Sequence, residues 1–297
     1  MKRMILGCVL VALLGASAIG GASASISVSS PCSKRTTRRY SHVVVIAFEN
    51  HSYSQILGSS APPSYFKTLA SRCGSARDFT PAHFPRSLPN YLAVTSGSTD
   101  GITSDCVPSR SCHSRLRSIF EELGGNRWRT WAESMPAPCY AGDTSLYVAR
   151  HVPNLYYSRL LHRRCIADTR TLELPLAPIS RSFVWVTPNL QHDMHDGTPA
   201  QASAWLQSFL AGRQGLLRSR TYQAGHMAIF IWFDSGPGSS SVSTPVPLLV
   251  IAPSVGHRLV TQHLTDYHLL HGWQGLLGVP CLNNSCEVSG FDHLFHL

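Results

Sequence analysis

Four runs of consecutive apolar, largely β-branched residues interrupt an otherwise mixed chain. They are His42–Phe48 (H-V-V-V-I-A-F), 182–187 (S-F-V-W-V-T), Met227–Phe233 (M-A-I-F-I-W-F) and 246–252 (V-P-L-L-V-I-A). Unalternating runs of this length are the pattern of strands buried on both faces. The intervening segments predict helices over 63–72, 89–95, 114–123, 200–217 and 266–277. Strands alternating with helices predict an α/β sandwich with a central, mostly parallel sheet flanked by helices. No internal repeat is visible.

Polar residues sharpen this picture. Glu49 and Asn50 follow the first run, Pro188-Asn189 and the stretch His192-Asp193-Met194-His195-Asp196 follow the second, and Asp234 follows the third. In open α/β sheets ligands sit beyond the carboxyl ends of strands, so these sequence-distant groups are expected to converge on one edge. The Gly/Ser-rich stretch 236–243 is expected to form a mobile loop beside it.

Each candidate has a chemical reading and a structural one. A carboxylate and an amide at a strand end, Glu49 and Asn50, supply hard oxygen ligands for a divalent cation, or merely shape a turn. Ser87, just ahead of a helix start, is either a nucleophile beside a helix dipole that favours phosphate or an ordinary N-cap. Four ionisable side chains in the five residues 192–196 are costly to crowd together unless a cation or substrate pairs them. Asp234 and Asp266 are isolated acids beside apolar segments, in a chain with few acids.

The amino terminus reads differently from the rest. Lys2 and Arg3 precede an apolar run that ends in Ala22-Ser23-Ala24, the pattern of a signal peptide cleaved near Ala24. Residues 25–40 then read as a flexible lead-in and 41–297 as one domain, and no second apolar run is long enough to span a bilayer. Export gives meaning to the cysteines. Beyond Cys8 in the leader there remain Cys32, Cys73, Cys106, Cys112, Cys139, Cys165, Cys281 and Cys286, an even set that reads as disulfides. Eight cysteines admit about 105 pairings. Cys106–Cys112 and Cys281–Cys286 are the easiest local loops, with Cys139–Cys165 and Cys32–Cys73 left over, but spacing does not select among the pairings. No C-x-x-C spacing supports a zinc cluster.

The formal charge is +9, of which the leader carries Lys2 and Arg3 and no acid, so the mature chain keeps about +7. That balance suits phosphate esters and acidic lipid headgroups. Basic residues lack the aromatic interleaving of a nucleic-acid surface.

At these positions the chain resembles the bacterial phosphoesterase family of acid phosphatases and phospholipases C, within the alkaline-phosphatase-like superfamily. The family's E-E-N-x-S is matched by Phe48-Glu49-Asn50-His51-Ser52. Its H-P-S-x-P-N-Y-L-A is matched by Pro85-Arg86-Ser87-Leu88-Pro89-Asn90-Tyr91-Leu92-Ala93. An E-x-x-P segment (Glu133, Pro136), an R/K-H-x-P segment (Arg150-His151-Val152-Pro153) and the N-D-M-H-D-G block (His192-Asp193-Met194-His195-Asp196-Gly197) follow in order, so the likeness runs from about residue 40 to 281.

The resemblance implies a secreted phosphoesterase with Ser87 as the phosphorylated nucleophile. Glu49, Asn50, Ser87 and Asp234 would hold a divalent metal. His151 and His195 would serve catalysis, and Asn90, Asp193, Asp196 and Asp266 would line the phosphate pocket. The expected substrate is a phosphate monoester, phosphoinositide headgroups included. A phospholipase C-like diesterase and a non-catalytic phospho-ligand-binding protein are the alternatives. Three departures bear on them: W-D-E becomes Trp232-Phe233-Asp234-Ser235, the histidine of H-Y-S-L-L becomes Asp266, with His268 two residues on, and the histidine before P-S becomes Pro85, with His83 nearby.

Overall fold

The computed structural model describes residues 30–33, 39–82, 86–160, 162–173, 180–238 and 243–297. The leader, most of the lead-in, His83, Pro85 and residues 239–242 of the glycine-rich stretch lie outside them.

The strands are β1 His42–Phe48, β2 Gly74–Ala76, β3 Phe79–Thr80, β4 Trp128–Ala132, β5 Thr169–Thr171, β6 Phe183–Thr187, β7 Met227–Phe233, β8 Leu248–Ile251, β9 Arg258–Val260 and β10 Leu264–Thr265. Eight of them form one sheet in the order β5-β4-β6-β1-β7-β8-β2-β9, and β10 pairs with β3 in a small second sheet. Within the large sheet only β8 runs against the others. The expected α/β sandwich with a mostly parallel sheet is therefore the fold.

The long apolar runs became the sheet's centre for the expected reason. All residues of β6 and β7, and all of β1 but His42, are buried, so no alternation was needed. Aromatic rings fill the space above them: Trp185 meets Trp232 at 5.5 Å, and Tyr91 packs on both at 5.6 and 5.0 Å. Such contacts contribute about 0.5–1.5 kcal/mol each beyond burial.

Helix boundaries follow local capping chemistry rather than the apolar pattern alone. The helix expected over 114–123 begins only at Ile119, because Ser118 and Glu121 form a capping box. That expected over 63–72 is Tyr65–Ala70, started by Ser64 accepting from the Lys67 N–H. The segment 200–217 splits at Gly212 into Pro199–Ala211 and the 3-10 turn Leu216–Arg218. The expected strand over 246–252 starts after Pro247, which has no N–H to give a ladder. Among the expected helices only Asp266–Leu277 keeps its bounds, as do the strands His42–Phe48 and Met227–Phe233.

Among the described residues four disulfides are present: Cys32–Cys73, Cys106–Cys112, Cys139–Cys165 and Cys281–Cys286. Among the described residues no helix is long and apolar enough to cross a membrane.

Candidate active site

The carboxyl ends of β1, β4, β6 and β7 each release a polar loop: Glu49-Asn50, Glu133-Ser134, the stretch from Asn189 to Asp196, and Asp234-Ser235. Three of these loops contain a non-glycine residue in the left-handed region, Asn50 at φ 42°, Ser134 at 61° and Met194 at 79°. Such backbone costs on the order of 1 kcal/mol per residue and collects where geometry is imposed by the surroundings.

Glu49 is at the centre, with no exposed surface. Its two oxygens are read by one helix, Ser87–Ser96. The Ser87 hydroxyl donates to Oε2 at 2.8 Å and the Tyr91 hydroxyl donates to Oε1 at 2.5 Å. Residues four apart share a helix face, which is why a single turn reaches both oxygens. Ser87 is the first residue of that helix and Arg86 takes the cap position, so the serine hydroxyl is not spent as a cap. The Leu88 N–H is met by Asp105 Oδ1 at 3.0 Å.

On the other side of Glu49 stands His151. Its Nε2 is 3.3 Å from Glu49 Oε1 without hydrogen-bond geometry, and its Nδ1 lies 3.1 Å from Asp193 Oδ2. Its ring stacks on Tyr91 at 5.4 Å. Burial first, then the charges of Arg150 and His195, keep His151 well below the usual histidine range. His195 is oriented at three points: its N–H donates to Asp193 Oδ1 (2.7 Å), Nδ1 meets Asp196 Oδ1 (2.7 Å) and Nε2 meets Arg150 Nη2 (3.1 Å). Glu133 braces the same loop by accepting from the Asn189 N–H (3.0 Å) and contacting His192 Nδ1 (2.8 Å).

Asp234 completes the cluster. It has no exposed surface and accepts from the Asn50 N–H at 3.3 Å and the Ser235 hydroxyl at 3.2 Å. Burial pushes it up to about 6, against hydrogen bonds that pull it down. Glu49 is raised well above the carboxylate range by burial, then by the charges of Asp234 and Asp193. Two buried carboxylates, both raised chiefly by burial, with an amide and a hydroxyl beside them, form an all-oxygen donor set that fits a hard divalent cation. Among the described residues no three His, Cys, Asp or Glu side chains group to hold a metal, so such a set depends on Asn50 and Ser87. Ser235, at the place of the family's glutamate, presents a neutral hydroxyl, which also bonds Asn50 Oδ1 at 2.9 Å.

The sequence candidates separate here. Glu49, Asn50, Ser87, His151, Asp193, His195 and Asp234 are linked by the contacts above, and Asp196 joins them through His195. Asn90 is buried one turn into the helix and donates to the Arg86 carbonyl at 3.2 Å. Asp266 is wholly buried, with its oxygens bonded to the Trp232 indole (2.8 Å) and the Ala82 N–H (3.0 Å). His268 caps its own helix through Thr265. Sequence reasoning missed Tyr91, Arg150, Glu133 and Asp105 as participants. The spacing of Tyr91 four residues after Ser87 was the available signal.

Tyr91→Phe keeps the ring and removes the donor to a buried carboxyl group. It is expected to lower unfolding stability by about 0.5–1.5 kcal/mol, read from the denaturant midpoint. An unchanged midpoint would mean that Glu49 does not depend on this bond.

Comparison with known proteins agrees with the fold. Residues 63–251 match the model of the phosphoesterase family. A phosphatidylinositol-3-phosphatase of Mycobacterium tuberculosis is 27% identical over 81% of this chain and 78% of its own length. An acid phosphatase of Aspergillus fumigatus is 25% identical over 90% of this chain and 61% of its own length. A crystal structure of an alkaline phosphatase superfamily protein from Vibrio parahaemolyticus superposes with a TM-score of 0.50 at 10% identity, covering 89% of this chain and 73% of that one.

Proposed function

The chain belongs to the phosphoesterase family and is a hydrolase of phosphate esters, and on that premise we propose that it cleaves phosphate monoesters through Ser87. The observation that carries this reading is the Ser87 hydroxyl held on Glu49 at 2.8 Å at the start of a buried helix.

In the proposed reaction Ser87 passes its proton to ionised Glu49 Oε2 as Oγ attacks phosphorus, the P–O bond to the alcohol breaks, and a phosphoserine forms. Glu49 aims Oγ through its hydrogen bond. The His151–Asp193 pair stands on the far side of Glu49 and fixes its orientation. We assign the protonation of the leaving oxygen to His195, whose Nε2 accepts from Arg150 Nη2 and must first exchange that contact for a proton. Water then attacks the phosphoserine and releases inorganic phosphate. Glu49, Asn50, Ser87 and Asp234 would hold a divalent cation, whose chemistry is to polarise the phosphoryl oxygens and acidify the serine hydroxyl.

The names of the mycobacterial and fungal relatives favour a monoester substrate, phosphoinositide headgroups among them. Four disulfides and the leader-like amino terminus support export with cleavage near Ala24, leaving 41–297 as one working domain. The decisive assay is hydrolysis of an aryl phosphate between about pH 4 and 8, with and without chelator, beside a choline phosphodiester. Monoester turnover supports the proposal and diester turnover alone replaces it with the phospholipase C reading. Ser235 in place of a carboxylate favours a second reading, a non-catalytic phosphate binder, which inertness toward both substrates would establish.

The buried acids give a separate prediction. Asp234 is raised to about 6 and Asp193 and Asp266 to about 7, each chiefly by burial, from an ordinary 3.8. A carboxyl group raised by folding favours the folded state when protonated. That contribution is full below about 3.8 and is lost as pH rises through about 6 to 7. The metal-free protein is therefore expected to melt at a lower temperature at pH 7.5 than at pH 5. A divalent cation, which selects the ionised carboxylates, should raise the Tm more at pH 7.5. A chelated protein whose Tm climbs between these pH values contradicts this account.

A further inference from the structure

A second charged cluster sits at the edge of the sheet where β4 meets β5. Asp168 is 1% exposed and is surrounded by Arg129, Arg164 and Arg181 at 3.8, 3.7 and 3.6 Å. These are long contacts, and Asp168 Oδ2 has no hydrogen-bond partner. Nor do the buried Nε atoms of Arg129 and Arg181. The parallel register sets Arg170 directly across from Trp131, and Arg129 lies two residues before Trp131 on the same face of β4. Arg129, Arg170, Trp131 and Thr171 line an open groove of about 550 Å³ together with Pro136, Pro138 and the exposed Glu173.

The charges do not balance. Among the described residues four arginines gather around two carboxylates, Asp168 and the exposed groove residue Glu173. Arg164 and Arg181 are steadied by the Asn126 amide oxygen (2.9 Å) and carbonyl (2.5 Å), and Arg170 Nε by the Ala167 carbonyl (3.1 Å). Arg129 has only the distant Asp168. Burial first, then the neighbouring Arg181, hold it below the usual arginine range. Half-buried guanidinium groups crowded beside one another cost electrostatic energy that an incoming oxyanion relieves, and the planar fork of arginine matches phosphate oxygens.

This groove is not part of the Ser87 site. Arg129 is level with Val184 and hence with Val44, two strands and five residues from Glu49. That is about 16 Å along the strand and about 10 Å across the sheet.

We infer that the Arg129–Arg170 groove is a second anion site that binds a phosphate group, separately from the Ser87 site. The phosphate is either free inorganic phosphate or one displayed on a lipid headgroup, and Trp131 and the two prolines form an apolar floor beside it. Bound there, it accepts hydrogen bonds from Arg129 and Arg170 and offsets the excess charge around Asp168.

The test uses the full oxidised protein carrying Ser87→Ala, so that turnover at the first site cannot confuse binding. Inorganic phosphate is titrated while amide and arginine Nε–H signals are followed by NMR. In parallel, cosedimentation is measured with phosphatidylcholine vesicles with or without a phosphoinositide. The expected result is saturable movement of the Arg129, Trp131 and Arg170 signals, weakened at least tenfold by Arg129→Gln/Arg170→Gln. Because Arg129 faces buried Asp168, that double variant can fail to fold; Arg170→Gln alone changes an exposed residue and is expected to weaken binding at least threefold. Response to phosphate without vesicle binding assigns the free anion, and phosphoinositide-dependent sedimentation lost in Arg170→Gln assigns the headgroup. Phosphate that moves only signals near residue 87, with no vesicle binding that depends on Arg170, overturns the inference. Aryl phosphate hydrolysis of Arg170→Gln in the Ser87 background is expected to stay unchanged.

Discussion

Ser87→Ala should abolish turnover of an aryl phosphate, with kcat falling at least about a thousandfold, because the proposed reaction has one nucleophilic atom and the variant deletes it. The fold should survive. Arg86 rather than Ser87 takes the cap position, so the helix Ser87–Ser96 loses no cap, and Tyr91 still donates to Glu49. Mass spectrometry after acid quench should find a phosphoryl group on Ser87 in the wild-type protein and none in the variant. If Ser87→Ala keeps a tenth of the activity or more, water or another side chain attacks phosphorus and Ser87 has only a binding role. Loss of activity with no trapped phosphoserine would point to a direct attack by water, with Ser87 as one of its ligands.

Removing the Cys32–Cys73 bridge is expected to cost more stability than removing any of the other three. The bridge spans 41 residues, Cys73 is fully buried, and β2 begins at the next residue, Gly74. It also holds the segment whose Pro31 carbonyl accepts the Tyr222 hydroxyl. Loop-closure entropy for a ring of this size is worth about 4 kcal/mol, or about 8–16 °C in Tm for a domain this large. The Cys106–Cys112 ring spans 6 residues, so its double alanine variant should cost about half as much. Melting of the two double variants under oxidising conditions checks the order. A smaller loss from Cys32→Ala/Cys73→Ala than from Cys106→Ala/Cys112→Ala would show that the unfolded chain does not gain freedom as loop size implies.

What could be read in advance was set by burial. β1, β6 and β7 announce themselves because a strand covered on both faces needs apolar residues throughout. β2, β3, β5, β9 and β10 have two or three residues each, too few to set a period. β4 hides for another reason. Its W-R-T-W-A places Arg129 and Thr130 between tryptophans, since one end of the strand serves the charged cluster rather than the core. The site was legible where chemistry-bearing residues follow long strands: Glu49, Asn50, Asp193 and Asp234. It was opaque where a hydroxyl sits inside an apolar helix, as with Tyr91, or where a distant loop supplies the carboxylate, as with Asp105. Asp266 stands where the family has histidine, and no local pattern could tell that its oxygens are bonded to Trp232 and Ala82.

The position of β1 between β6 and β7 has a consequence for how the protein dies. Amides in the middle of such strands exchange with solvent only when the whole domain opens, whereas sheet edges fray independently. Glu49 and Asp234 directly follow central strands, and Asp193 is tied to them by accepting the Glu49 N–H, so all three hang on backbone expected to exchange slowly. Fraying of β5 or β9 during heating or proteolysis therefore leaves their arrangement intact, and nicked or partly frayed molecules should retain their catalytic geometry until the last cooperative transition removes it at once.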